Sequence, residues 1–107
     1  MIGVDIVDIS RIVDVVEKYG DRFLDKVFTE EEITYVKKGK RINESLAGRF
    51  AAKEAFMKAY GKKLAWKEIN VLQVEGRPFI QYHGVRYEGV SISHERAYAV
   101  SVVIIQQ

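Results

Sequence analysis

At 107 residues with a net charge of +2, the chain has the length of one small domain and falls short of a general nucleic-acid footprint. It contains no cysteine, which excludes disulfides, thiolate zinc sites and cysteine nucleophiles. With only His83 and His94 as imidazoles, a metal here would be held mainly by oxygen, the preference of magnesium, manganese or calcium.

The chain opens with Met1-Ile2-Gly3-Val4-Asp5-Ile6-Val7, a β-branched run that reads as a buried strand. Asp5 and Asp8 interrupt its apolar character, which argues against a signal peptide. Asp8 is a candidate N-cap for a first helix. Its Ile9, Ile12, Val13 and Val16 recur at helical spacing, and Gly20 is placed to stop it. Thr29-Glu30-Glu31-Glu32 has the pattern of a capping box, with Thr29 as cap and Glu32 at the third helical position. The short helix that follows ends near Gly39. A third helix, from Asn43 to Tyr60, is rich in Ala, Leu, Lys, Glu and Met, with Gly61 as its C-terminal stop. Beyond it the pattern changes to strands: Ile69 to Val74, a turn at Gly76-Arg77-Pro78, then Phe79 to Tyr82, Gly89 to Ser93 and Ala97 to Ile105. This order predicts an α+β fold, an antiparallel sheet with the helices packed on one side. Without a linker or repeat, residues 1–107 read as a single domain. No apolar stretch approaches the ~20 residues of a membrane span, and the default compartment is the cytoplasm.

At ~100° per residue, Ala52, Ala55, Phe56 and Ala59 share the core face of the third helix. Ala47, Ala51, Glu54 and Lys58 share another face, where small side chains leave room for a ligand beside one carboxylate and one amine. Glu54 and Lys58 are also spaced to pair with each other on a solvated face. Asp5 lies in a strand expected to be buried, where a carboxylate needs a partner or a cation. Pairing with a lysine or arginine, or exposure on one strand face, would satisfy it equally. Asp5 and Glu54 together make a possible magnesium site, completed by water and substrate phosphate. His94 sits where two strands join and reads as a phosphate contact or a turn residue. Ser93 and His94 are sequence neighbours whose side chains point apart, so Ser91 and Ser93 read as structural hydroxyls. Arg41, Arg49, Lys53, Lys62 and Lys63 bracket or line the third helix. They form a solvated face or hold a phosphate-rich ligand.

Gly3-Val4-Asp5-Ile6-Val7 resembles the opening motif of the holo-[acyl-carrier-protein] synthases. Phe28-Thr29-Glu30-Glu31-Glu32 is similar to their F-[ST]-x-x-E segment, and Leu46 to Ala59 is similar to their signature helix almost throughout. Gly76-Arg77-Pro78 corresponds to their G-K-P turn, and Ser91-Ile92-Ser93-His94 to their S-I-[ST]-H motif. The motifs occur in the family's order over essentially the whole chain.

The resemblance implies a 4′-phosphopantetheinyl transferase fold and a magnesium-dependent transfer of 4′-phosphopantetheine from coenzyme A to a serine of acyl carrier protein. Adenosine 3′,5′-bisphosphate is released, and the step belongs to fatty acid biosynthesis. Asp5 and Glu54 then correspond to the magnesium ligands, and Lys58 to the lysine near the pyrophosphate. Arg49 and His94 match positions near the coenzyme A 3′-phosphate, and of the basic residues around the third helix Lys53 and Lys62 are further candidate coenzyme contacts. Arg11 matches a first-helix arginine that meets the acidic carrier protein. Glu54, directly or through a metal-bound water, is the candidate general base, and the nucleophile is the carrier's serine. Small members of the family form homotrimers with active sites between subunits, whereas larger relatives carry two such halves in one chain. Two departures stand out. Gly61-Lys62-Lys63-Leu64 is more basic than the family's glycine-rich loop, and the stretch from Gln81 to Gly89 is short enough for a hairpin. The competing reading is a non-catalytic coenzyme A-binding trimeric module of the same fold. A general nucleotide enzyme lacks its P-loop or dinucleotide fingerprint here.

Overall fold

The computed structural model describes residues 1–106. Strand β1 (Ile2–Asp8) runs directly into helix α1 (Ile9–Tyr19). Asp8 Oδ1 accepts from Ser10 N at 2.9 Å and from Ser10 Oγ at 2.7 Å, which satisfies a free amide of the first turn. Gly20 ends α1 and also begins α2 (Asp21–Val27), a helix too short to announce itself by periodicity. Helix α3 (Glu30–Lys38) starts on the expected capping box: Thr29 Oγ1 accepts from Glu32 N, and Glu32 Oε1 accepts from Thr29 N. Helix α4 (Ile42–Tyr60) ends at Gly61 in the left-handed region, φ 95°. A 3-10 turn (Trp66–Glu68) then leads into β2 (Ile69–Val74), β3 (Arg77–Tyr82), β4 (Val85–Tyr87), β5 (Val90–His94) and β6 (Tyr98–Ile104).

The strands form two three-stranded sheets, ordered β1-β6-β5 and β2-β3-β4, rather than the one sheet expected. Every pairing is antiparallel. The chain changes sheets at Gly89, where an added Cβ would lie 2.5 Å from the Ile104 carbonyl oxygen. The turn between β2 and β3 is Glu75-Gly76, both with positive φ, the geometry that favours a two-residue hairpin. Arg77 and Pro78, expected within the turn, already belong to β3, opposite Val74 and Gln73. His83-Gly84 makes a second such turn into β4, so the short stretch after Gln81 is indeed a hairpin.

Helix α4 is buried on nearly all sides. One part of it, with Leu46, Ala47 and Ala51, packs among Val7, Ile12 and Phe28. The next part, with Ala52, Ala55 and Phe56, packs among Ile69, Ile80 and Val103. Ala47 and Ala51 are fully buried, which corrects the reading of their face as open to a ligand. Their small side chains let protein, not ligand, approach. Gly3 serves the same end, since a Cβ there would meet the Ala55 carbonyl oxygen at 1.9 Å.

The register settles what β1 presents on each side. Gly3, Asp5 and Val7 lie opposite Val103, Ser101 and Ala99, and this set faces α4. Ile2, Val4 and Ile6 lie opposite Ile104, Val102 and Val100 on the other face, where Ile2 is 69% and Ile6 63% exposed. The strand is therefore buried on one face only. Among the described residues no helix is long and apolar enough to cross a membrane.

Candidate functional site

Period-two alternation places Asp5 on the α4 side of β1, and Gly3 lets the helix close over the strand. Lys58, in the last turn of α4, reaches across. Its Nζ donates to the Val4 carbonyl oxygen at 3.0 Å and to Asp5 Oδ1 at 3.2 Å. Lys58 thus pairs with Asp5 rather than with Glu54, its neighbour on the helix. Glu54, one turn earlier, is half-buried. Desolvation holds its carboxyl above the usual carboxylate range, and the like charge of Asp5 pushes it the same way. Lys58, Lys63 and Arg11 pull it back. Asp5 of β1, Arg11 of α1, Glu54 and Lys58 of α4, and Lys63 of the following loop therefore share one electrostatic neighbourhood.

Beside them lies a pocket of about 560 Å³, walled by Met57, Leu64 and Trp66 and by the charges of Glu54, Lys58 and Lys62. The C-terminal end of a helix repels anions. The lysines of α4 and its following loop offset that end, and a phosphate can lie between them and the carboxylates. Asp5 and Glu54 supply an all-oxygen donor pair. Among the described residues no group of three or more His, Cys, Asp or Glu could enclose a metal. A cation here would draw its other ligands from water and substrate, as magnesium commonly does.

A second basic cluster occupies the opposite end of α4. Arg49 is 3% exposed, with its guanidinium 4.7 Å over the Tyr35 ring and Nη1 donating to Ser45 Oγ at 2.7 Å. Burial pushes its pKa down, against the opposing charge of Glu32 and contacts with Tyr35. Its Nε is buried without a hydrogen-bond partner, a costly state for a donor. His94 ends β5 and places Nδ1 3.0 Å from Glu44 Oε2. Arg49 and His94 line a cavity of about 180 Å³ together with Ser45, Gly76 and Pro78. Arg41 also lines it, and a neighbouring pocket of about 390 Å³ adds Arg96.

Lys53 is not a ligand contact. It is fully buried, and its Nζ lies 2.7 Å from Glu32 Oε1, 2.7 Å from the Val27 carbonyl oxygen and 3.1 Å from that of Trp66. Glu32 Oε2 in turn accepts from Val71 N at 2.7 Å. Desolvation lowers the Lys53 pKa while Glu32 opposes the shift. The pair ties α3, α4 and β2 together. Sequence showed the helix-capping role of Glu32 but not this second bond. Glu44 and Trp66 were also missed, since neither carries a pattern of its own. Ser91 and Ser93 are exposed on the outer side of the sheet, and the Ser91 carbonyl oxygen accepts from Ser101 Oγ at 2.9 Å.

The site is thus an antiparallel α+β scaffold that brings two carboxylates and a lysine beside a basic pocket. Residues 1–103 match the family model of the 4′-phosphopantetheinyl transferase superfamily, and the chain belongs to that superfamily. It is 43% identical over 117 residues to the holo-[acyl-carrier-protein] synthase of Halothermothrix orenii, covering 96% of this chain and 94% of the relative. With that of Listeria monocytogenes it is 45% identical over 114 residues, covering 98% and 96%. Among solved structures it is similar to Helicobacter pylori holo-[acyl-carrier-protein] synthase in complex with coenzyme A, with a TM-score of 0.89 and 29% identity over 99% of this chain and 100% of that one. The Bacillus anthracis enzyme in complex with CoA (3′,5′-ADP) gives a TM-score of 0.81 and 36% identity, covering 95% and 91%.

Proposed function

We propose that this chain transfers the 4′-phosphopantetheine group of coenzyme A to a serine of acyl carrier protein and releases adenosine 3′,5′-bisphosphate. The observation that carries the reading is the meeting of Asp5, Glu54 and Lys58 beside a lysine-rich pocket, in a chain whose relatives are holo-[acyl-carrier-protein] synthases. Glu54 takes the proton of the attacking serine hydroxyl as its oxygen bonds to the phosphorus that carries pantetheine. The bond from that phosphorus to the bisphosphate breaks, and Lys58 neutralises the leaving phosphate. Asp5 holds the Lys58 ammonium toward the site. Asp5 and Glu54 would hold a magnesium ion, and their oxygen donors fit one. When bound, such an ion offsets charge on the diphosphate.

Lys62 extends the basic wall of this pocket, and Arg49 and His94 take the 3′-phosphate at the other end of α4. Glu44 and Lys58 are fourteen positions apart, or about 20 Å along the helix. The diphosphate and 3′-phosphate of coenzyme A are only one ribose apart. One subunit therefore supplies the diphosphate pocket and its neighbour the 3′-phosphate cluster, which supports a homotrimer with sites between subunits. The exposed apolar face of Ile2, Ile6, Val102 and Ile104 is a surface suited to that assembly. Val102→Lys is expected to convert trimer to monomer in sedimentation, and a trimer that survives would exclude this face. Residues 1–107 act as one cytoplasmic transferase domain serving fatty acid biosynthesis.

Exposed Arg11 of α1, whose charge reaches Glu54, meets the acidic carrier. Arg11→Ala is expected to raise the KM for carrier protein about two- to fivefold, the weight of one exposed charge pair. A small pantetheine acceptor should be unaffected, and an equal loss with it would contradict the assignment. The reading as a whole is tested by mass spectrometry of apo carrier incubated with coenzyme A and the protein, with and without magnesium and chelator. Gain of the phosphopantetheine mass only with magnesium is expected. Coenzyme A binding without mass gain would instead identify a non-catalytic module.

A further inference from the structure

Glu44 presents an electrostatic puzzle. It puts a carboxylate into a cluster of cations at the pocket assigned above to the 3′-phosphate, where a negative charge should weaken binding of another anion. Its contacts explain its presence. Glu44 Oε2 lies 3.0 Å from His94 Nδ1 and 3.5 Å from Arg41 Nη1, so one oxygen holds both the imidazole and the guanidinium. An imidazole that donates Nδ1–H to a carboxylate has its ring plane fixed, and its Nε2 is turned to the opposite side. The 3.0 Å contact therefore leaves Nε2 for a ligand. Arg41 is otherwise loose, with its side chain 74% exposed, and contact with Glu44 restricts it to the pocket rim. Glu44 is itself anchored, since it occupies the first turn of α4, where a carboxylate is favoured. The same cavity is lined by Arg49, whose guanidinium adds a fixed positive charge suited to an anion.

We propose that Glu44 is a positioning residue for nucleotide specificity: through His94 and Arg41 it makes the enzyme discriminate coenzyme A from 3′-dephospho-coenzyme A. This inference rests on the 3′-phosphate reading of the pocket. The experiment measures kcat/KM with both substrates for the wild type, Glu44→Ala, His94→Ala and the double variant.

The wild type is expected to prefer coenzyme A. Glu44→Ala is expected to reduce that preference about tenfold, the weight of a hydrogen bond to a charged group. In the His94→Ala background, removal of Glu44 should reduce it by clearly less, because the two act as a coupled pair. Equal losses with both substrates would mean a merely structural role and would overturn the proposal. So would a preference that stays the same, or one that rises because a repulsive charge has gone. A wild type indifferent to the 3′-phosphate would overturn the underlying assignment of the pocket, an outcome distinct from the others.

Discussion

Glu54→Gln is expected to lower kcat for transfer by about 10²–10⁴-fold, the usual contribution of a positioned general base. The substitution preserves the shape of the side chain but removes its proton acceptance and its negative charge. The decrease should appear in kcat rather than in binding of carrier protein, because Arg11 and the α1 surface are untouched. Stability should be equal or higher. The folded-state pKa of Glu54 is raised, chiefly by desolvation and then by Asp5. A carboxyl of that kind stabilises the fold most below its unfolded pKa, and the benefit is lost as pH rises through the folded value. At neutral pH the charged form is therefore a mild liability that glutamine relieves. Unchanged turnover would remove Glu54 from its role. A lower melting temperature would show that the charge is structural after all.

Lys53→Met is expected to be the most destabilising change, by about 3–5 kcal/mol, the typical cost of leaving one member of a buried ion pair unpaired. Methionine fills much of the same volume, so the loss isolates the charge. Without the ammonium, Glu32 keeps its bonds from Thr29 N and Val71 N but loses its counter-ion. The carbonyl oxygens of Val27 and Trp66 lose their shared donor. For a chain of this size, each kcal/mol corresponds to roughly 4–8 °C in melting temperature, so thermal denaturation would register the change clearly. A variant as stable as the parent would mean that the pair is neutral in place. Replacing Glu32 as well, by methionine, should recover much of the loss, since no lone charge then remains buried.

The helix ends were legible because they are local. Asp8, Thr29 and Gly61 act within a turn of chain, and each does in the structure what its type and position imply. Asp5, Glu54 and Lys58 were readable as candidates from residue type and likeness to the family's motifs. Their meeting was not, because a strand and a helix more than forty residues apart had to be brought together by Gly3. The errors share a cause in long-range packing. Lys53 and Glu54 are sequence neighbours with opposite surroundings, one sealed against Glu32 and the other at the pocket, and composition cannot separate them. Ala47 and Ala51 looked like room for a ligand because small side chains have the same pattern whether ligand or protein fills the space. The passage between the two sheets comes with a close approach of Gly89 to Ile104, a contact fifteen residues apart that no local pattern announces.

The alternation along β1 ties two properties to the parity of one short segment. Its even positions display Ile2, Val4 and Ile6 outward, and its odd positions turn Gly3, Asp5 and Val7 to α4. Loss of one residue from this strand would exchange the two sets. A branched side chain would then press into the gap that only glycine can leave, and the carboxylate would move to the greasy outer face. Even-numbered sites can therefore drift among apolar types while odd-numbered ones cannot, and a frame of two residues is the smallest step by which this strand could lengthen or shorten without losing both its surface and its chemistry.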